Sequence, residues 1–195
     1  TTRHFPTSQI VNVRDKLFMI DCGEGAQLQF RKSHLKFSRL NHIFISHLHG
    51  DHCFGLLGLI STLNLLGRTA ELHIHSPKGL ETLLTPMLDF FNRQMTYKVL
   101  FHEFDTKEPM LIYEDRSLTV TTIPLRHRMP CCGFLFAEKR RPNHIIREMV
   151  DFYQVPVYEL NRIKNGADYV TPEGKTVSKN FLTRPSAPSR SYASF

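Results

Sequence analysis

Short runs of hydrophobic residues alternate along the chain with longer stretches in which apolar positions recur at helical spacing. The runs at residues 9–13, 17–20 and 43–46 predict strands. Apolar residues between 53 and 66 then repeat at intervals of three and four, which predicts a helix that ends at Gly67. Since strands lead directly into helices, we expect the loops at strand ends to carry functional side chains.

The rest of the pattern predicts a mixed α/β protein. A helix beginning near Leu80 should be kinked or restarted by Pro86. Asn143 is expected to cap a helix over residues 144–153, and the Pro/Ser-rich residues 184–195 predict an extended or loosely held tail. The remaining predicted strands are residues 72–75, 97–104, 110–113, 118–124 and 132–137.

The strongest chemical signal is the segment SHLHGDH at residues 46–52, between a predicted strand and a predicted helix. Side chains two residues apart in extended backbone point the same way, so His47 and His49 are expected to face one metal ion. Asp51 and His52 would face a second ion. Imidazole and carboxylate suit zinc, with manganese or iron also open, and such a pair of ions activates water for hydrolysis.

Further candidates lie at the ends of other predicted strands. His127 follows the strand at 118–124 and is a candidate for one of the further ligands, since each zinc ion takes about four and the motif supplies too few. Asp21 follows the strand at 17–20, where a carboxylate would orient the imidazoles of the metal ligands. His73 and His75 alternate on one strand, which is more typical of a solvent-exposed strand face than of a second metal pair.

Composition limits the class of protein. With 195 residues and 41% hydrophobic positions, the chain fits one globular domain or a large part of one, rather than a disordered or fibrous protein. No stretch reaches the roughly 20 apolar residues of a membrane span, and the first residues do not form a secretory signal. The four cysteines form no disulfide framework, so we expect a cytoplasmic protein without membrane contact.

Positive charge is concentrated near the end of the sequence. Residues 139–195 contain 10 basic and 5 acidic residues, and so carry +5 of the formal net charge of +7. A local basic excess is expected of a surface that meets phosphate groups, although a solvated loop has the same composition.

These residues resemble the ribonuclease Z family of the metallo-β-lactamase superfamily, whose signature HxHxDH is present at His47 to His52. The resemblance extends from residue 1 to about residue 137. It is carried by Thr2-Arg3-His4 with Ser8, DCGEGAQLQ at 21–29, GLLG at 55–58, LLGR at 65–68, PLRHR at 124–128, and Gly133-Phe134.

The resemblance implies an αββα sandwich that holds two zinc ions. It implies His47, His49 and His127 as ligands of the first ion, and Asp51 and His52 as ligands of the second. It further implies that Asp51 accepts a proton from the water that attacks the phosphodiester of precursor tRNA. The products would be a tRNA 3′-hydroxyl and a trailer with a 5′-phosphate, and the enzyme would be a homodimer.

By the same resemblance, residues 1–137 are predicted to be the N-terminal part of the metallo-β-lactamase domain. Residues 138–184 are predicted to be a tRNA-binding arm, with Val157-Tyr158 where the family has Gly-Pro, and residues 185–195 a return segment. The first family strand and the C-terminal half, with a bridging aspartate, a last metal histidine and a general acid, are expected outside this sequence. Two alternatives are another metallo-β-lactamase-fold hydrolase, acting on a small ester, lactone, sulfate or phosphodiester, and a non-catalytic RNA-binding protein.

Overall fold

The computed structural model describes residues 5–92 and 94–195, so the similarity noted at residues 2–4 lies outside the described residues. The chain divides into two compact units. Of the described residues, unit 1 comprises those up to residue 136 together with 192–195, and unit 2 comprises residues 137–191. Each unit has hydrophobic clusters of its own.

The secondary structure alternates between strands and helices over much of the chain. The strands are β1 (Gln9–Val13), β2 (Lys16–Ile20), β3 (Leu40–Phe44), β4 (Leu72–Pro77), β5 (Val99–Phe104), β6 (Leu111–Glu114), β7 (Leu118–Leu125), β8 (Cys131–Glu138), β9 (His144–Ile145), β10 (Tyr169–Val170), β11 (Thr176–Val177), β12 (Thr183–Arg184) and β13 (Ser191–Ser194). The α-helices are α1 (Ala26–Lys32), α2 (Gly50–Cys53), α3 (Gly55–Leu65), α4 (Leu80–Phe91), α5 (Arg147–Phe152), α6 (Leu160–Lys164) and α7 (Lys179–Leu182). Short 3-10 helices span Phe37–Arg39 and Val157–Glu159.

Unit 1 is built from two sheets and a layer of helices. The first sheet has the order β1-β2-β3-β4-β5, with β1 antiparallel to β2 and the other neighbours parallel. Leu17 and Met19 on one face of β2 belong to the cluster formed with α1, α3 and α4, and Phe18 and Ile20 on the other face pack with the second sheet. The second sheet has the order β13-β8-β7-β6. Fully burying side chains of this size stabilises the fold by about 1.5–3 kcal/mol each.

The parallel strands bring several chain segments to one edge of the first sheet. The backbone N–H of Asp21, just after β2, donates to the Phe44 carbonyl at the end of β3 (2.8 Å), and the N–H of Ile45 donates to His75 in β4 (2.8 Å). The segments that follow β2 and β3 therefore start side by side, and both contain predicted site residues.

Two predicted helices differ in detail from the structure. The helix predicted over residues 53–66 begins at Gly50 as the short α2 and continues after Phe54 as α3. Pro86 does not restart α4, which runs from Leu80 to Phe91 with the proline inside it. Thr82, whose carbonyl loses its helical donor at Pro86, is exposed, so water can satisfy this carbonyl.

Among the expectations for the chain after residue 138, one was wrong and one was correct only in part. Asn143 caps no helix: residues 144–145 form β9, which pairs with β12, and α5 starts only at Arg147. The predicted tail contains β13, an edge strand of the second sheet. Both differences come from pairing with distant strands, which local sequence does not reveal.

Unit 2 has a small core of its own. Residues from its helices and short strands bury one another, and β9 pairs with β12 while β10 pairs with β11. Its buried hydrophobic residues are Val150, Val155, Ile163, Tyr169, Val177 and Leu182. In neither unit do the described residues form a helix with the length and hydrophobicity of a membrane span.

Candidate metal centre

Three histidines of unit 1 converge through their ring nitrogens. His47 Nε2 lies 3.0 Å from His49 Nδ1, and His127 Nε2 lies 3.3 Å from the same His49 atom. One nitrogen from each ring falls within 4.8 Å of the others, and among residues 5–92 and 94–195 no other group of three potential ligands does so. We call His47, His49 and His127 the loop cluster, because all three lie outside the strands, after β3 and after β7.

The backbone around the motif explains this convergence. Residues 47–49 lie outside the strands and helices and lead into α2, whose N-cap residue His49 is extended, with φ of −72° and ψ of 148°. His47 and His49 are therefore on the same side of the segment. His127 arrives from the loop between β7 and β8 in the second sheet.

Asp51 and His52 lie next to the loop cluster on α2. The His47 and His52 ring centroids are 3.9 Å apart, and His52 Nε2 is 3.7 Å from Asp51 Oδ2. The Asp51 side chain is 64% exposed and the His52 side chain 18%, so both can be reached by solvent. The structure thus brings the five predicted ligands into one neighbourhood.

Asp21 is a buried carboxylate that contacts the site through His52 and Ser46. It is 3% exposed, and its Oδ2 contacts His52 Nδ1 at 2.8 Å. Ser46 donates to the same carboxylate through its backbone N–H (2.8 Å) and its hydroxyl (3.0 Å). With Nδ1 donating to Asp21, Nε2 of His52 is left as an acceptor, which is the tautomer a metal ligand needs.

Electrostatics favour the neutral form of the His47 imidazole. Burial, followed by the neighbouring His52, His49 and His127, lowers the pKa of His47 to about 4. Burial raises the pKa of Asp21, while the hydrogen bonds from Ser46 and His52 act in the opposite direction. A histidine must be neutral to bind a metal, so the lowered pKa of His47 is compatible with its predicted role as a ligand.

Close backbone contacts hold the motif against the loop after β2. The Cys22 N–H donates to the His52 carbonyl (2.7 Å), and the Gly55 N–H donates to the Cys22 carbonyl (2.8 Å). A Cβ atom at Gly23 would overlap the Asp51 carbonyl oxygen and the Pro6 side chain. Close packing therefore requires glycine at position 23.

A second group of histidines lies within the first sheet. His42 on β3 pairs in register with His73 on β4, and His75 on β4 pairs with His102 on β5. Each pair is stacked with its ring centroids 4.7 Å apart. The diagonal pairs are in hydrogen-bond contact, His42 Nδ1 with His75 Nε2 at 3.2 Å and His73 Nδ1 with His102 Nε2 at 2.9 Å. We call these four residues the strand cluster.

The expectation of a solvent-exposed face at His73 and His75 was wrong for His75, which is only 3% exposed. It stacks on Phe44 with a centroid distance of 4.5 Å. Burial, followed by His42, His102 and His73, lowers the pKa of His75 to about 3. Sequence reasoning missed the cluster because it depends on the register between three strands, although the alternation of His73 and His75 on β4 was a visible signal.

Comparisons with known proteins identify the family and the fold of this chain. A family model described as "Anti-Pycsar protein Apyc1" matches residues 1–143. The chain belongs to this family. Its similarity to ribonuclease Z, expected from the sequence, is also confirmed. A Ribonuclease Z of Bacteroides fragilis is 79% identical over 193 residues, and one of Bacteroides thetaiotaomicron is 78% identical.

The matches cover nearly all of this chain but only part of the relatives. They span 99% of the chain, and 64% and 61% of the lengths of the two Bacteroides proteins. The crystal structure of the short form of human tRNase Z matches with a TM-score of 0.62 and 29% identity, covering 71% of this chain and 62% of that one. The metallo-β-lactamase fold protein YhfI of Bacillus subtilis matches with a TM-score of 0.53 at 15% identity, which supports the fold alone. The predicted fold class is confirmed.

Proposed function

We propose that the protein containing this chain is a zinc-dependent endoribonuclease that removes the 3′ trailer from precursor tRNA. The convergence of three imidazole nitrogens carries the proposal, because three protein ligands with a further open position are typical of catalytic zinc. His47, His49 and His127 would hold the first ion, and Asp51 and His52 the second. Relatives named Ribonuclease Z support tRNA as the substrate class.

When bound, the zinc ions supply positive charge beside the phosphodiester and lower the pKa of a water molecule. Asp51, exposed on α2, is proposed to accept the proton of the attacking water at a carboxylate oxygen. The buried Asp21 holds the ring of His52 through Nδ1. Cleavage would leave a 3′-hydroxyl on the tRNA and a 5′-phosphate on the trailer.

Unit 2 is proposed to contain the tRNA-binding arm, over residues 138–184. A cavity of about 400 Å³ in this unit is bordered by Arg140, Arg141, Lys164 and Lys179, and no acidic residue borders it. Cations in this arrangement suit phosphate groups, and their contribution to RNA affinity should fall as salt rises. Recognition of the tRNA would depend on shape more than on base identity.

The proposal extends to the assembly and the compartment. We expect a homodimer because the family resemblance implies one. Sedimentation of the purified protein measures this oligomeric state. We expect the cytoplasm, since Cys22, Cys53, Cys131 and Cys132 are buried free thiols, a state typical of a reducing compartment.

The test uses the full-length protein that contains this chain, loaded with zinc. Cleavage of a precursor tRNA with a 3′ trailer is measured with and without a chelator. The cut and its end groups are mapped for the wild type, for Asp51→Ala and for a matched control, Asp89→Ala, which changes an exposed carboxylate on α4. We expect one chelator-sensitive cut near the discriminator base, lost in Asp51→Ala and kept in the control.

Each alternative has its own outcome in this experiment. Hydrolysis of a small phosphodiester or ester without any cut in the tRNA would favour the other class of metallo-β-lactamase-fold hydrolase. Binding of the precursor by a protein that holds no zinc and cuts nothing would favour the non-catalytic RNA-binding protein. Elemental analysis of the same sample separates these two results.

A further inference from the structure

A cavity of about 730 Å³ opens in unit 1 beside the loop cluster. Its walls come from three loops, which follow β4, β5 and β7, and it includes His127. The volume lies in the range of about 300–1,000 Å³ typical of ligand sites. The residues that border it are Pro77, Lys78, Phe104–Lys107 and Pro124–Cys131.

The strand register explains why these loops meet. Pro77 and Phe104, the last residues of β4 and β5, are partners in the parallel ladder. Lys78 and Lys107 therefore emerge close together at the same edge of the first sheet. Arg126 and Arg128 flank His127 in the loop after β7.

The cavity wall is strongly basic. Lys78, Lys107, Arg126 and Arg128 border it and are exposed. Asp105 is the one acidic residue on the wall, and its Oδ1 accepts a hydrogen bond from the backbone N–H of Lys107 at 3.0 Å. Within residues 5–92 and 94–195 none of the four cations forms an ion pair with a carboxylate.

We infer that this cavity is a phosphate-binding subsite that holds the backbone of the RNA next to the scissile bond. The inference rests on the proposed function, since it requires an RNA substrate at the loop cluster. Several exposed cations without carboxylate partners are available to bind anions, and successive phosphates of one strand supply more than one negative charge. The position of His127 on the same wall puts this charge beside the proposed metal ligands.

The subsite differs from the basic cavity of unit 2 in what it would contribute. Contacts in an arm hold the body of the substrate, whereas contacts beside His127 would fix the strand that enters the reaction. Orientation of the reacting group is itself a source of catalysis, because small displacements reduce the rate steeply.

The experiment uses the full-length protein that contains this chain. Two double variants are compared with the wild type, Lys78→Gln/Lys107→Gln and Arg126→Gln/Arg128→Gln. Lys32→Gln/Lys36→Gln is the control, because it removes two exposed cations from α1 and the loop after it. Binding of precursor tRNA to the zinc-free protein is measured between 50 and 200 mM salt, and KM and kcat are measured for the zinc-loaded protein.

Each lost phosphate contact should reduce the slope of log affinity against log salt by about 0.7–0.9. We expect each cavity variant to flatten this slope by about 1.5. We also expect KM to rise about tenfold, more than kcat falls, while the control matches the wild type. Zinc content is measured in every variant, because Arg126 and Arg128 adjoin a proposed ligand, whereas Lys78 and Lys107 do not.

An unchanged salt slope and KM in Lys78→Gln/Lys107→Gln, with normal zinc content and a wild type that cleaves precursor tRNA, would overturn the subsite. Equal losses in the control and in the cavity variants would overturn it as well, since they would indicate general charge attraction. A wild type that neither binds nor cuts the RNA would instead refute the proposed function.

Discussion

The loop cluster and the strand cluster are built from the same side chain and differ in the backbone that carries it. His47, His49 and His127 lie on irregular segments, and one nitrogen from each ring falls within 4.8 Å of the others. The histidines of the strand cluster lie on parallel strands whose register stacks the rings, with centroids 4.7 Å apart for His42 and His73. Their nitrogens therefore meet in pairs. Histidines form a metal centre only where the backbone lets several lone pairs meet.

The two clusters also differ in the side chains that surround them. Asp21 and Asp51 lie within reach of the loop cluster through His52. The strand cluster packs on aromatic rings, including Phe44 and Tyr113. Carboxylates favour a bound cation, whereas an aromatic environment favours uncharged imidazole. One cluster is thus suited to chemistry and the other to packing.

The largest expected effect is a difference in zinc content and activity between a variant of the loop cluster and a variant of the strand cluster. His127→Ala removes an exposed nitrogen from the loop cluster, and His102→Ala removes an exposed ring from the strand cluster. In the full chain we expect His127→Ala to lower cleavage of precursor tRNA about a hundredfold or more, with loss of zinc, because a ligand is missing. His102→Ala should retain both. Equal zinc loss in the two variants, measured by elemental analysis, would contradict the distinction.

A smaller effect is expected from the carboxylate beneath the loop cluster. Asp21→Asn should weaken zinc binding about 10–100-fold, because the amide no longer holds the His52 ring by a charged hydrogen bond. Asp15→Asn, at an exposed carboxylate paired with Arg39, is the matched control. Competition with a chromophoric chelator measures both affinities, and a shift of the same size in the control would refute this role of Asp21.

The strand cluster should make stability depend on pH. Burial, with His73 and His102 next, lowers the pKa of His42 to about 4, below its value of 6.5 in an unfolded chain. Asp115 raises this pKa and Lys16 lowers it further. Between these two pKa values the unfolded state binds more protons, so stability is present above pH 6.5 and is lost as the pH falls toward 4.

For His42 the expected loss is about 2 kcal/mol between pH 7 and pH 5. Urea unfolding at a series of pH values measures it. His42→Gln should flatten the dependence, whereas His34→Gln, at an exposed position after α1, should leave it unchanged. A free energy of unfolding that stays level from pH 7 to pH 5 would refute the neutral state of His42.

The smallest expected difference lies within the strand cluster. His75→Gln should cost about 1–3 kcal/mol, because it disturbs a buried contact and leaves His42 Nδ1 without its partner. His102→Gln changes an exposed ring and should cost about 0.5 kcal/mol or less. Urea unfolding of both variants at pH 7 tests this order, and a larger cost for His102→Gln would reverse it.

The candidate site was more predictable than the histidines in the sheet. The alternation of His47 and His49, followed by a glycine, determines which side chains share a face, and this information is local. His127 could be named as a candidate ligand because it follows the end of a predicted strand. Their roles as ligands, and that of Asp21, stay predictions, although the structure brings these side chains together.

What could not be predicted depends on pairing between distant segments. His75 is buried because the second sheet covers its face, and nothing near residue 75 indicates that cover. Asn143 looks like a helix cap locally, but β9 pairs with β12 about forty residues later. The strand in residues 191–194 likewise exists because an edge of the second sheet accepts it.

The chain leaves unit 1 along β8 and returns along β13, and these two strands are neighbours in one sheet. The backbone N–H of Glu138 donates to the Arg190 carbonyl at 2.8 Å, so the two ends of the intervening segment are close together. In engineering terms unit 2 is a cassette: a short turn between residues 138 and 190 would close the gap without disturbing either strand. Unit 2 can therefore gain, lose or exchange residues during evolution without a change in unit 1, which contains the proposed metal ligands.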